Sequence, residues 1–209
     1  MLTESKNAIS ERGDCVKIAF TGGPASGKTE TIKGIREKLA AKHHKEVIFL
    51  PEVATSYLID QPEIIKRLNN EVLFDYYIFR TEFHIESLIE SYNKDLIMIC
   101  DRGVSDIYAF LPKRTAQKVI GTYANRITNN YDLVLFFEND PTGTTLYKDK
   151  KIRTPMNLRK ANRLSVNTKD AWEKHNKNII YIPQFPSIEE KIVFVAKTIN
   201  NFVNKELFL

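Results

Sequence analysis

The run Gly22-Gly23-Pro24-Ala25-Ser26-Gly27-Lys28-Thr29 carries the plainest chemistry in this chain. It fits the pattern G-x-x-x-x-G-K-[ST] in full, and each fixed position has a physical purpose. Glycine permits the dihedrals that wrap a backbone around an anion with its N–H groups turned inward. A helix starting directly afterwards adds partial positive charge at its N-terminus. Lys28 is expected to reach the β- and γ-phosphates and the Thr29 hydroxyl to ligate Mg²⁺. With Glu30 the run forms the predicted nucleotide-binding segment, a P-loop for a purine nucleoside triphosphate with magnesium. The bland alternative is a glycine-rich turn without a ligand. An apolar strand before the loop and a helical pattern after it argue against that alternative.

A second acidic feature follows the apolar run Leu96 to Cys100, which ends in Asp101. Ligands of open α/β sheets sit beyond the carboxyl ends of the strands, so Asp101 should face the same crevice as Lys28. Its expected role is to hold magnesium, directly or through water; a turn or helix-cap aspartate is the alternative. Arg102 follows it, where a mechanical ATPase needs a glutamate to activate water. Glu52 follows another strand, Glu46 to Leu50, and emerges at the same edge. It suits a general base that takes the proton of an acceptor hydroxyl, and equally a helix-start acid complementing the macrodipole. The two uses are compatible.

Positioning these residues requires strands that alternate with helices. Apolar runs predict strands at Val16–Thr21, Glu46–Leu50, Leu96–Cys100, Leu133–Phe137 and Asn178–Ile182. Apolar residues near the 3.6-residue period predict helices at Lys28–Lys42, Asn70–Tyr92, Val104–Leu111, Arg114–Ile127, Asn157–His175 and Ile188–Asn204. That order is the signature of βαβ units and a parallel sheet covered on both faces. One α/β domain is expected over residues 15–209, behind a polar leader at 1–14 that lacks the character of a secretory signal.

Composition narrows the class. Hydrophobic residues make up 43% of the 209, enough for a core, and no apolar run is long enough to span a membrane. The two cysteines, Cys15 and Cys100, form no C-x-x-C, so zinc is not expected and Cys100 reads as a buried core thiol. A cytoplasmic setting is the default. The net charge of +5 suits a polyphosphate ligand but is modest for a nucleic-acid binder, and no specific nucleic-acid partner is expected.

Taken together, Thr21-Gly22-Gly23-Pro24, Pro51-Glu52-Val53-Ala54-Thr55, Cys100-Asp101-Arg102-Gly103 with Asp106 and Ala109-Phe110, and Ala171-Trp172 with His175 resemble a family of ATP/GTP-binding P-loop proteins. That family is classed with AAA-type ATPase domains despite a kinase-like pattern, and includes the TRPL translocation defect protein of insects. The nicotinamide riboside kinase domains of bacterial NAD regulators are a more distant likeness. The Asp-Arg pair also resembles that of thymidylate and deoxynucleoside kinases, where the arginine touches the acceptor or its phosphate. The resemblance implies a nucleoside/nucleotide-kinase-type fold: a five-stranded parallel sheet in order 2-3-1-4-5, flanked by helices, with a basic lid. It implies Glu52, Asp101 and Arg102 on the acceptor side, and Arg153 where relatives carry a lid arginine. Pro155 and Asp75 stand where relatives often have glutamate and glutamine, so acceptor identity does not transfer.

Lys148, Lys150, Lys151, Arg153, Arg159 and Arg163 gather at 140–163, where a mobile lid would exclude water and neutralise charge on a transferred phosphoryl group. A solvated basic face is the alternative. Tyr76, Tyr77, Phe79, Arg80 and Phe83 offer either core packing or a stacking surface for an acceptor base. Trp172 and His175 read as packing and capping residues. The leading expectation is a kinase that transfers the γ-phosphoryl group of ATP to a small acceptor, a nucleoside, nucleotide or riboside. The alternatives are a nucleotide switch or adaptor, and a triphosphatase in which Glu52 orients water. No Asn-Lys-x-Asp occurs, which disfavours GTP without removing it.

Overall fold

The computed structural model describes residues 15–40, 45–60, 63, 70–92, 95–139 and 158–206. Five strands form one parallel sheet: β1 (Val16–Gly22), β2 (Glu46–Leu50), β3 (Leu96–Asp101), β4 (Leu133–Phe137) and β5 (Ile179–Ile182). Their order is β2-β3-β1-β4-β5, the order the resemblance implies. Helix α1 (Lys28–Ala40) follows the glycine-rich turn, α2 (Val53–Asp60) follows Glu52, and α3 (Glu71–Tyr92) is the long middle helix. A 3₁₀ turn (Val104–Asp106) leads into the short α4 (Ile107–Phe110), and α5 (Lys113–Ile120) and α6 (Ala124–Ile127) come before β4. Helices α7 (Leu158–His175) and α8 (Ile188–Glu206) flank β5. The predicted leader, residues 1–14, lies outside the described residues.

Period-two alternation along β1 assigns its side chains to two cores. Ile18 and Phe20 join Ile35 and Leu39 of α1 and Val195 and Ile199 of α8 on one face. Ala19 joins Phe79 and Phe83 of α3, Met98 and Cys100 of β3, and Trp172 of α7 on the other. Each fully buried aliphatic or aromatic side chain contributes about 1.5–3 kcal/mol, so both layers hold the sheet edges at fixed height. Cys100 is buried as expected.

The alternation also sends Lys17 into the second core, where a bare ammonium would be costly. Its Nζ meets Glu86 at 2.6 Å and Glu90 at 2.8 Å from α3. Burial alone would lower the Lys17 pKa, but these carboxylates outweigh it and hold the ammonium above its ordinary value. The bond therefore ties the middle helix to the central strand at one register.

Two predicted helices are cut differently. The pattern Arg114–Ile127 divides into α5 and α6, because Gly121 takes φ +47 and a 3₁₀ turn intervenes. Val104–Leu111 opens as a 3₁₀ turn for a reason set by the site. Periodicity reports which face is apolar; it does not report a single residue leaving helical dihedrals.

The thiols yield a test of this packing. Burial, then Glu90 and Asp132, push the Cys15 thiol from its ordinary 9.0 up to about 12, and burial likewise holds the Cys100 thiol well above its ordinary value. A raised pKa depletes the thiolate below it, so at pH 8 Cys15 should react about a thousandfold more slowly than a free thiol. Neither cysteine is expected to label within minutes in the native chain, and both should label in denaturant. Rapid native labelling would refute these positions.

Candidate active site

The site is assembled at the carboxyl ends of β1, β2 and β3. In the loop between β1 and α1, Gly22 takes φ +128 and Gly27 φ +84, dihedrals that favour glycine. A Cβ on Gly22 would lie 2.2 Å from the Phe137 carbonyl oxygen of β4, so the close approach of two strands also demands glycine there. Ala25 adopts φ +56 without that freedom. Successive residues of opposite-handed backbone create a concavity of N–H groups, the geometry that accepts an anion.

Lys28 is 6% exposed and folds back across this loop. Its Nζ donates to the carbonyl oxygens of Gly22 at 3.2 Å and Gly23 at 2.8 Å and to Ser26 Oγ at 2.9 Å. Burial, and then the Arg102 charge, push its pKa down to about 7. Ser26 Oγ donates in turn to the Gly23 carbonyl at 2.9 Å, and Thr31 Oγ1 to Gly27 at 2.7 Å. Lys191 of α8 donates to the Ser26 carbonyl at 3.2 Å and to Gln184 Oε1 at 3.3 Å. Pro24 is half-buried, whereas Thr29 and Glu30 are exposed on the first turn of α1.

Thr29 Oγ1 donates to Asp101 Oδ2 at 3.2 Å, bringing the two proposed magnesium ligands to one point. Both offer hard oxygen. Among the described residues no cluster of three or more His, Cys, Asp or Glu is arranged to hold a metal. A hydroxyl and one carboxylate suit an ion such as Mg²⁺, which keeps water and nucleotide phosphate in the rest of its shell. The residues present fit that ion. Burial and then Glu52 raise the Asp101 pKa, while Lys28 and Arg102 draw it down.

Arg102 is the hinge of the arrangement. It sits at φ +79, a left-handed position that strains a non-glycine residue by about 1–3 kcal/mol. What holds it there is over-determined. Its backbone N–H donates to Phe20 at 2.9 Å, its Nε to Glu52 Oε1 at 2.5 Å, and its Nη1 to Asp106 Oδ2 at 3.0 Å. Asp106 also accepts from Thr21 Oγ1 at 2.7 Å and from Trp172 Nε1 at 2.5 Å. The next residue must be glycine, since a Cβ on Gly103 would meet Tyr131 Oη at 2.4 Å. That hydroxyl accepts from the Val104 N–H at 2.8 Å and donates to Glu86 at 3.0 Å. These bonds fix the chain directly after β3 and force the 3₁₀ turn.

Glu52 lies two residues past the end of β2. Its Oε1 receives Arg102 and its Oε2 receives Thr55 Oγ1 at 2.6 Å. The Ser56 N–H bonds the Glu52 carbonyl at 3.1 Å, so Glu52 also opens α2, in keeping with its reading as a helix-start acid. Beside this pair lies a cavity of about 280 Å³, bounded by Leu50 of β2, Cys100 and Asp101 of β3, Arg102 directly after β3, and α3 residues.

A family profile described as an AAA domain matches residues 17–191. The chain belongs to the AAA domain family. No curated protein sequence matches this AAA-domain chain. The solved structure of deoxyadenosine kinase from M. mycoides with bound dATP is similar to it at a TM-score of 0.57 and 12% identity, covering 88% of this chain and 100% of that one. At that identity the likeness establishes the fold, which is kinase-like. The AAA-domain chain is a nucleotide-binding P-loop protein built on it.

The structure brings together Gly22 to Thr29, Glu52, Asp101 and Arg102. Arg153 lies outside the described residues, as do Lys148, Lys150 and Lys151. Arg159 and Arg163 are exposed on the first turns of α7. The aromatic stripe does not line the cavity: Phe79 and Phe83 are core, and Tyr76 and Arg80 face solvent. Instead α3 supplies Thr81, Glu82, Ile85 and Glu86. Sequence reasoning missed Glu82, Glu86, Lys191 and the bonds made by Asp106. One signal existed for the first two, since Glu82, Glu86 and Glu90 recur every fourth residue on one helix face. Such a row normally means a solvated face. Among the described residues no helix is long and apolar enough to cross a membrane.

Proposed function

We propose that this protein is an ATP-dependent phosphotransferase that passes the γ-phosphoryl group to a small acceptor, a nucleoside, nucleotide or riboside. One observation carries the reading: Arg102, ion-paired to Glu52, lines a cavity together with Asp101, whose carboxylate also meets Thr29 of the P-loop. A cavity beside the phosphate loop, with the Arg102 guanidinium in its lining and the Glu52 carboxylate paired to that guanidinium, suits a second substrate better than it suits water alone. Arg102, where a mechanical ATPase needs glutamate, supports the same view.

In this mechanism the loop amides and Lys28 bind the β- and γ-phosphates and stabilise charge that develops on them. Thr29 and Asp101 would hold Mg²⁺, which neutralises phosphoryl charge when bound. The acceptor hydroxyl lies against Glu52, which takes its proton as the oxygen bonds to the γ-phosphorus. The bond from that phosphorus to the β–γ bridging oxygen breaks, and the nucleoside diphosphate leaves. Arg102 steadies Glu52 and meets the transferred group, with Arg153 proposed to join from the lid.

Incubation of the full chain with γ-labelled ATP, Mg²⁺ and a panel of nucleosides, nucleotides and vitamin ribosides tests this. Label is expected on one acceptor class. Label found only as inorganic phosphate identifies a triphosphatase instead. Binding without turnover of any kind identifies a nucleotide switch.

A further inference from the structure

The α3 wall of the cavity contains two carboxylates in different circumstances. Glu86 is fully engaged: it receives the Tyr131 hydroxyl at 3.0 Å and the Lys17 ammonium at 2.6 Å. Glu82, one helical turn earlier, lines the same cavity and has no hydrogen-bonding or ion-pairing partner among the described residues. Its neighbours there include the apolar Leu50, Val53 and Ile85. Burial, then Glu86 and Asp106, hold its pKa well above the usual carboxylate range. Glu82 is partly exposed, so water reaches its carboxyl while the cavity is open, and an occupant that displaces that water must donate to the carboxyl or leave it unpaired. Arg102 is committed to Glu52 and Asp106, and Lys17 to Glu86 and Glu90.

The partner therefore comes from the occupant. The apolar residues suit the face of a flat ring, while Glu52 and Arg102 at the strand ends suit the hydroxyl that receives the phosphoryl group. We propose that Glu82 is the specificity-determining residue of this cavity, and that it selects a nucleoside or riboside whose ring carries an N–H donor, an exocyclic amino or carboxamide group. The proposal rests on the phosphotransferase reading for the name of the occupant, and its test separates the two. A site whose hydrogen-bonding group is buried by the occupant rejects the analogue that lacks the matching donor, because the site's own polar group is then left unpaired.

The experiment uses three matched pairs that differ only by replacing the donor group with hydrogen: adenosine with purine riboside, cytidine with its 4-deamino pyrimidinone riboside, and nicotinamide riboside with pyridine riboside. Calorimetry on the full chain measures binding of each, and γ-labelled ATP measures transfer. At least one donor-bearing member is expected to bind about tenfold or more tightly than its partner. In Glu82→Met that ratio should fall to within about twofold while Mg-ATP binding is unchanged, which shows that the fold and the P-loop survive. Equal binding within every pair, a preference that persists in Glu82→Met, or no binding by any of the six overturns the proposal. Discrimination in binding with no label transfer upholds Glu82 and sinks the kinase reading. Label transfer with equal affinity within every pair does the reverse.

Discussion

Glu52→Gln is expected to lower the rate of phosphoryl transfer about 10²–10⁴-fold while leaving nucleotide affinity within about twofold. The substitution isolates proton transfer because it is close to isosteric. In the parent, Oε1 accepts from Arg102 Nε and Oε2 from Thr55 Oγ1. Glutamine keeps its carbonyl toward Arg102, and its amide can donate to a Thr55 hydroxyl that turns to accept. The cavity shape and the strained Arg102 backbone therefore persist, at a cost of about 1–3 kcal/mol for the weakened ion pair. What glutamine cannot do is take a proton. Steady-state kinetics with the best acceptor, alongside calorimetry with Mg-ATP, measure the two quantities separately. A rate within about threefold of the parent would remove Glu52 from the chemistry and leave it as an anchor for Arg102.

Lys28→Ala should act on the other substrate. The ammonium is held by two carbonyls and a hydroxyl within the loop, so it is pre-organised over the concavity where phosphate would lie. Charge-assisted hydrogen bonds to phosphate are roughly twice as strong as neutral ones. Each such bond is worth about 1.5–3 kcal/mol, so affinity for Mg-ATP should fall about 10–100-fold or more. Transfer should fall by a further factor of about 10²–10³, because charge grows on the phosphoryl oxygens in the transition state. Alanine leaves the Ser26 hydroxyl bonded to Gly23 and the Lys191 strut beneath the loop, so thermal stability should change little. Unchanged heats of Mg-ATP binding would mean that this turn does not hold nucleotide, and every role assigned above would fall with it.

These two residues differ in how their settings could be foreseen. Lys28 was legible because its constraints are local. The loop must curl within a few residues, glycine is needed where φ is positive, and the helix must start directly after. The five strands were legible for a related reason, since apolar runs buried on both faces leave a strong signal, whereas their order came only from the family resemblance. Glu52 and Asp101 were legible as strand-end carboxylates, since all parallel strands deliver their ends to one edge.

Glu82 was not, because its solitude is a property of what surrounds it. In one dimension Glu82, Glu86 and Glu90 are three equivalent acids on a helix face. In three dimensions Lys17 of β1 and Tyr131, two residues before β4, claim two of them and pass over the third. Asp106 is a parallel case. Its bonds to Thr21, Arg102 and Trp172 join residues up to 85 positions apart, and nothing near it in the chain announces them. The aromatic stripe on α3 shows the converse. Phe79 and Phe83 pack in the core while Tyr76 and Arg80 are exposed, and which side of the helix meets the cavity was decided by how α3 docks on the sheet.

The chain by itself thus determined the turn that grips phosphate, the alternation of strands and helices, and the edge at which the acidic residues emerge. Each of these is set by short-range dihedral preference or by a repeating pattern of burial. Only the tertiary structure decided which buried charges are neutralised and which carboxyl is left facing a cavity. Electrostatic partners are chosen by distance in space, and sequence spacing carries almost no information about that distance.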